Sequence, residues 1–360
     1  MTIIYFILIL GVTIFVHELG HFIFAKKAGI YCHEFSLGMG PKIWSFKRKN
    51  DETLYAIRLF PIGGFVQMAG EEIEEDSSVP KDRQLNSKTW KQKFLTIIAG
   101  IMFNFILAII IFFFIALFNG VPSTRPVVEV TDENLPAYSA GLKTGDVITR
   151  VNDKRITSTD RLMLELQVNS GKKVSLEVKR DGDINELTIS PKKITNEEKT
   201  ESYIYGFTIT TTIEKGIFVS LQYAFMKIGF LIEQMFLVII YLITGAISLD
   251  NLAGPIGIYN IVGETARTGL TNLIFLLAYI SVNVGFINLL PIPAFDGGRI
   301  LFLIIEKIKR SPVNPKVENI IHSVGFILLM ILMLFITYND IIRIFIKGWF
   351  YENKSIKVYS

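Results

Sequence analysis

The sequence predicts a multi-span α-helical membrane protein with four transmembrane helices, interrupted by an inserted α+β module. Three observations carry this. Half of the 360 residues are hydrophobic and 28 are phenylalanine, more than a water-soluble core usually takes up. Four stretches, roughly residues 3–25, 94–118, 271–293 and 322–347, are long and apolar enough to cross a hydrocarbon layer of about 30 Å as helices. Between the second and third of these, residues 125–212 have the composition of a folded soluble domain. The net charge of +4 is too mild to suggest nucleic acid, so no nucleic-acid partner is expected. With a single cysteine, Cys32, the chain can build neither an internal disulfide framework nor a thiolate metal cluster. Any metal must then be held by histidine and carboxylate.

The N-terminus runs from Met1 into apolar residues with no Lys or Arg before Lys26, unlike a cleaved signal peptide, so the first span is expected to stay in the mature protein. Basic residues crowd the loop after it (Lys42, Lys47, Arg48, Lys49, Arg58, Lys81, Arg83, Lys88, Lys91, Lys93) and the loop between the last two spans (Arg299, Lys307, Lys309, Arg310, Lys316). The positive-inside rule places both loops in the cytoplasm, and the N-terminus and the inserted module outside. Within the first loop, Leu54 to Met68 contains Pro61, Gly63 and Gly64 and reads as a membrane-associated hairpin too apolar for ordinary solvation. A fifth apolar stretch, 216–247, carries Lys227, Glu233 and Gln234 in its middle, and 213–260 is read as interfacial or re-entrant helices. The module itself shows strand-like runs at Val127–Val130, Val147–Val151, Val174–Lys179 and Glu186–Ile189, with a short helix at Asp160–Val168. Residues 261–360 complete the membrane core.

His17-Glu18-Leu19-Gly20-His21 is an H-E-x-x-H sequence on the first span. Four residues of helix put both imidazoles on one face, where they can share a zinc ion, and Glu18 can reach water bound to it. An ionisable residue inside a spanning helix costs at least about 2.5 kcal/mol, so this cluster calls for a partner. A third ligand is needed, and Asp296 is the best candidate, in the run NLLPIPAFDGG at 288–298, where two prolines break a helix at membrane depth. An acid at the water boundary is the other reading of that run. His17 and His21 come late in the first span and Asp296 at the end of the third, so they meet only if both spans run the same way. That requires an odd number of crossings between them, which the second span supplies if 216–247 does not cross. At about 1.5 Å per residue, His17 then lies in the cytoplasmic third of the bilayer. Asn288 and Asn104 are polar groups in apolar surroundings that could hydrogen-bond a substrate backbone, with helix-to-helix bonding the alternative for Asn104. His33 and His322 have no second ligand at helical spacing and read as interfacial.

The segment PAYSAGLKTGDVITRVNDKRI, residues 136–156, resembles the signature of bacterial PDZ domains. With the H-E-x-x-H helix, RLFPIGGFVQM at 58–68, Ala99-Gly100 followed by Asn104, Gly254-Pro255-Ile256-Gly257 and the N-x-x-P-x-P-x-x-D-G run, the chain resembles the site-2 protease family, specifically the regulator of sigma-E protease group, over nearly its whole length. The resemblance implies one zinc ion per chain held by His17, His21 and Asp296, with Glu18 as general base. It also implies that the hairpin, with Pro61, Gly63, Gly64 and Phe65, holds substrate as an added strand. The expected activity is intramembrane cleavage of single-pass membrane proteins, such as anti-sigma factors or remnant signal peptides, in a bacterial plasma membrane. The module would be an extracytoplasmic, circularly permuted PDZ domain that gates access, with 205–209 as its late strand. Phe295 stands where many relatives have Leu, and there is room for one PDZ module where some relatives have two. A non-catalytic PDZ-bearing adaptor with structural zinc is the rival reading, and a zinc transporter lacks ligands in the outer halves of the spans.

Overall fold

The computed structural model describes residues 1–71, 76–122, 126–130, 132–195, 201–210, 213–245, 252–311 and 313–355. In chain order the elements are α1 (Thr2–Lys27), β1 (Cys32–Lys47), β2 (Leu54–Met68), α2 (Trp90–Asn119), β3 (Val121–Pro122), β4 (Val127–Glu129), α3 (Pro136–Ser139), β5 (Val147–Val151), β6 (Lys154–Arg155), α4 (Thr159–Val168), β7 (Val174–Arg180), β8 (Asp183–Ile189), β9 (Lys192–Thr195), β10 (Glu201–Ile204), β11 (Thr208–Thr210) and β12 (Ile213–Glu214), followed by α5 (Ile217–Ile243), α6 (Pro255–Thr268), α7 (Leu270–Leu289), α8 (Asp296–Lys309) and α9 (Pro315–Ser355). They divide into a unit of Met1–Phe112 with Lys227–Ser360 and a unit of Phe113–Met226.

In the first unit, packing fixes the direction of each long helix. Phe6 and Ile9 of α1 cluster with Leu273 and Ile280 of α7, while His17 and His21 meet Asp296 just beyond the end of α7. The two helices therefore run the same way. Helix α2 runs against them: its Thr96 is level with His21, its Asn104 with His17, and its Phe112 with Phe275. Close approach of α1 and α2 depends on glycine. A Cβ on Gly20 would strike the Ala99 carbonyl, and one on Gly100 would fall on the His21 ring.

The sequence reads 216–247 as an amphipathic or re-entrant helix pair, whereas Ile217–Ile243 is one unbroken 27-residue helix, α5. Lys, Glu and Gln are good helix formers, so Lys227, Glu233 and Gln234 do not interrupt it. Positions 246 and 247 lie outside the described residues. Among the described residues five helices are long and apolar enough to cross a membrane, so length alone does not select four. Lys227 lies over Phe275 and Phe236 packs edge-on against Phe286, so α5 follows the direction of α7. By Gly257 the chain is back beside Asp340 of α9, and Val262 joins the Phe6 cluster at the start of α1. Asp340 accepts the Gly257 N–H at 2.8 Å, which satisfies one open donor of the first turn of α6 from another helix.

Between α1 and α2 the hairpin differs from the one expected within 54–68. Leu54–Ile57 and Gly64–Gln67 do not pair with each other. Both flank the same residues of β1: Glu34 stands opposite Gln67 and Leu54, and Leu37 opposite Gly64 and Ile57. The far half of β1, Trp44–Lys47, closes the other side of Leu54–Ile57. Four passes of backbone thus form four rows, with Gly64–Met68 as an outer row beside α1. The side chains of Pro61 and Ile62 lie outside the described ones.

The second unit has a sheet in the order β11-β4-β5-β7-β8, with β6 paired to β5. Its strands begin and end close to the apolar runs of the sequence, because alternate residues such as Val174, Leu176 and Val178 face one core with Ile148, Val151 and Leu162. Helix α3 starts on Pro136 and is followed by Gly141 with φ 84°, a left-handed residue that lets the chain turn. Ser158 caps α4 by accepting the Arg161 N–H. The expected limits of this module, 125 and 212, fall outside the described residues.

Candidate metal centre

One turn of α1 separates His17 from His21, and both rings are buried. His21 donates from Nδ1 to the Thr96 carbonyl of α2 at 2.9 Å, which leaves its Nε2 with a lone pair turned inward. That nitrogen lies 3.2 Å from His17 Nε2 and 3.2 Å from Asp296 Oδ2, and His17 Nε2 lies 3.1 Å from the same oxygen. Three atoms that all seek positive charge thus converge, and no hydrogen-bond donor satisfies the enclosed Asp296 Oδ2. A tetrahedral ion with ligands at about 2.0–2.1 Å needs ligand atoms about 3.3 Å apart, so the observed spacing fits a zinc-sized cation.

Asp296 reaches this point because the chain doubles back at the end of α7. A Cβ on Gly297 would meet the carbonyls of Leu289 and Leu290, and one on Gly298 would lie 2.6 Å from the Ile292 carbonyl. The two glycines are thus a steric requirement of the turn. Asp296 also sits in the first turn of α8, where the helix dipole favours a carboxylate.

His17, Glu18, His21, Asn288, Asp296 and Phe65 share the lining of a cavity of about 260 Å³ with Val66 and Met68 of the outer β2 row. The fit is close, since a Cβ on Gly64 would stand 3.5 Å from the Glu18 Cγ and 2.9 Å from the Ser36 carbonyl. Gly63 holds a φ of 99°, which a side chain would resist. Asn288 donates to the Val284 carbonyl and remains on the cavity wall.

Asn104 is placed differently from the substrate-facing role considered above. It is fully buried, away from the cavity lining, with Nδ2 3.3 Å from His17 Nδ1. Its Oδ1 has no partner. Reversing the amide puts that oxygen on His17 Nδ1, where it accepts the ring proton and turns the Nε2 lone pair toward Asp296 and His21. Asn104 then does for His17 what the Thr96 carbonyl does for His21.

Three features escaped the sequence. The Thr96 carbonyl carries no side-chain signal. Glu71 and Arg299 pair on the cavity wall, yet Glu71 opens an acidic run and Arg299 belongs to a basic run that reads as a topology marker. His322, read as interfacial from the sequence, accepts the Ala294 N–H next to the Asp296 turn, a contact with a distant segment that its sequence neighbours do not show. His33, read as interfacial, bonds Asp76 at 2.6 Å.

Comparison with known proteins gives the family. Residues 5–332 match peptidase family M50. The chain is 34% identical to the regulator of sigma-W protease RasP of Bacillus subtilis, covering 96% of this chain and 99% of that protein. It is also 34% identical to the zinc metalloproteases RasP of Bacillus licheniformis and Shouchella clausii, covering 96% of this chain and 100% and 99% of theirs. With residues 5–332 matched by the family model and 96% of the chain covered by relatives 34% identical to it, the protein belongs to peptidase family M50.

Proposed function

We propose that this protein is a zinc endopeptidase that cuts single-pass membrane proteins within or near the bilayer, with His17, His21 and Asp296 holding one zinc ion and Glu18 as general base. The observation that carries this is the convergence of three ligand atoms at 3.1–3.2 Å beside Glu18, inside a helix apolar enough to span a membrane. The chemistry that zinc supplies when bound there is Lewis acidity toward water and the scissile carbonyl. Glu18 takes the proton of the attacking water and returns it to the leaving amine. Asn288 supplies a polar group on the cavity wall for the substrate backbone.

A substrate helix must unwind before its carbonyls can be attacked, because its own i to i−4 bonds hold them. The outer row Gly64–Met68, with Phe65, Val66 and Met68 on the cavity, offers an edge on which an unwound segment can pair. The parallel course of α1 and α7 supports an odd number of net crossings between them. The course of α5 alongside α7, with the chain back beside Asp340 by Gly257, supports a re-entrant excursion and hence four spans. The basic loops would then face the cytoplasm, as would the active site, while the N-terminus and the sheet module lie outside. We read that module as a PDZ domain that restricts access to substrates already trimmed on the outer side. The B. subtilis relative is named a regulator of sigma-W protease, which favours anti-sigma factors as substrates, with remnant signal peptides as the other class.

The test is Glu18→Gln in cells that carry an epitope-tagged single-pass anti-sigma factor already trimmed outside. The variant should accumulate the trimmed fragment and still bind zinc. Undiminished cleavage would sink the proposal.

A further inference from the structure

The turn that carries Asp296 is held from outside. Residues 290–295 lie between α7 and α8, and Pro291 and Pro293 have no N–H. Four donors remain. Leu290 donates to Ile287, Ile292 to Leu290 and Phe295 to Ile292, all within the turn or the helix before it. The fourth, Ala294, donates to His322 Nδ1 of α9 at 3.1 Å. Ala294 also has a φ of 82°, a left-handed conformation that a residue with a Cβ keeps only when its surroundings hold it.

A second contact on the same face of α9 is independent of that bond. One turn beyond His322, a Cβ on Gly325 would run into Pro293, with the Pro293 carbonyl at 2.9 Å. Helix α9 therefore lies directly on Pro293–Ala294, and the Phe302 ring of α8 packs 5.5 Å from the imidazole on another side. Acceptance at Nδ1 requires the neutral ring with its proton on Nε2.

We propose that His322 is a positioning residue for the metal centre. By accepting the Ala294 N–H it fixes the strained residue two positions before Asp296, and so the place of Asp296 Oδ2 opposite His17 and His21. The helix that carries it is thereby part of the catalytic apparatus as well as a membrane anchor. This rests on the zinc reading above.

The experiment is zinc affinity by chelator competition, with zinc per chain, on the full-length protein in detergent. Wild type, His322→Phe, His322→Gln and Asp296→Asn are compared, with thermal stability measured alongside. His322→Phe keeps the packing without an acceptor and should weaken zinc binding about 10-fold, the lower end of the range for outer partners of metal ligands. His322→Gln offers an oxygen acceptor and should recover most of that loss. The inference fails if both variants bind zinc as wild type does, whatever their melting temperature, or if Gln is as weak as Phe. Should His322→Phe not fold, His322→Leu replaces it in the same comparison. A wild-type protein without zinc, or an Asp296→Asn variant that binds it normally, would instead overturn the zinc reading.

Discussion

At the scale of single residues, the site depends on which ring nitrogen carries the proton, and so on neighbours of the histidines. Asn104→Ala removes the partner of His17 Nδ1 and should lower zinc affinity about 10- to 100-fold, measured by chelator competition. Asn104→Asp, which keeps an acceptor, should lose less. Gly100→Ala puts a methyl group onto the His21 ring and should abolish zinc binding, read as metal per chain in folded protein. Cys32 plays no such part: burial pushes its thiol up to about 12. In the folded protein it should resist alkylation by iodoacetamide at pH 8, and labelling at the rate of a free thiol would contradict that. Of these residues, the H-E-x-x-H pair was legible from spacing alone. Asn104 was legible only as a polar residue in an apolar helix, because its partner is a residue of a different helix.

At the scale of elements, the β1 and β2 rows matter most. Lys26 at the end of α1 reaches Asp51 and Glu52 at 2.7 Å each, and so ties the helix that carries His17 to the turn between the strands. Burial raises the Asp51 carboxyl, but its bonds to Lys26, Tyr55 and the Thr53 N–H outweigh that and hold it well below the usual range. The outer row then stands against Glu18 through Gly64. Gly64→Val should cut turnover about 10²-fold with zinc content unchanged, since the added atoms press on Glu18 and the Ser36 carbonyl rather than on the metal ligands. Equal loss of zinc and activity would argue against that placement. The sequence marked this segment by its glycines and apolarity, yet not that its two arms straddle β1. Pairing partners far apart in the chain are set by packing, which local pattern does not contain.

At the scale of the whole molecule, the sheet unit has its own core and its own keystone. Arg180 grips the buried Asp146 carboxylate through two bonds of 2.7 Å, and the Lys143 N–H adds a third. Burial works to raise the Asp146 carboxyl, but Arg180 outweighs it and the net shift is downward. A depressed carboxylate contributes stability above its unfolded value of about 3.9 and loses it as pH falls through the folded value. Arg180→Met should therefore destabilise this unit by roughly 2–3 kcal/mol near neutral pH, below the usual cost of a broken buried pair because Arg180 is a quarter exposed. The difference from wild type should shrink below about pH 4. Thermal melts across pH measure this, and zinc content should not change.

The sequence by itself determined the two histidines on one helix face with Glu18 beside them, the main apolar helices and four strands of the inserted unit. These follow from periodicities of 3.6 and 2 residues, which are local. Only the tertiary structure decided that Asp296 meets His17 and His21, and that Asn104 and the Thr96 carbonyl stand against the two rings. It also decided that His322 of α9 holds the turn before Asp296. Each of these is a contact between elements distant in the chain, fixed by how helices pack rather than by the order of neighbouring residues.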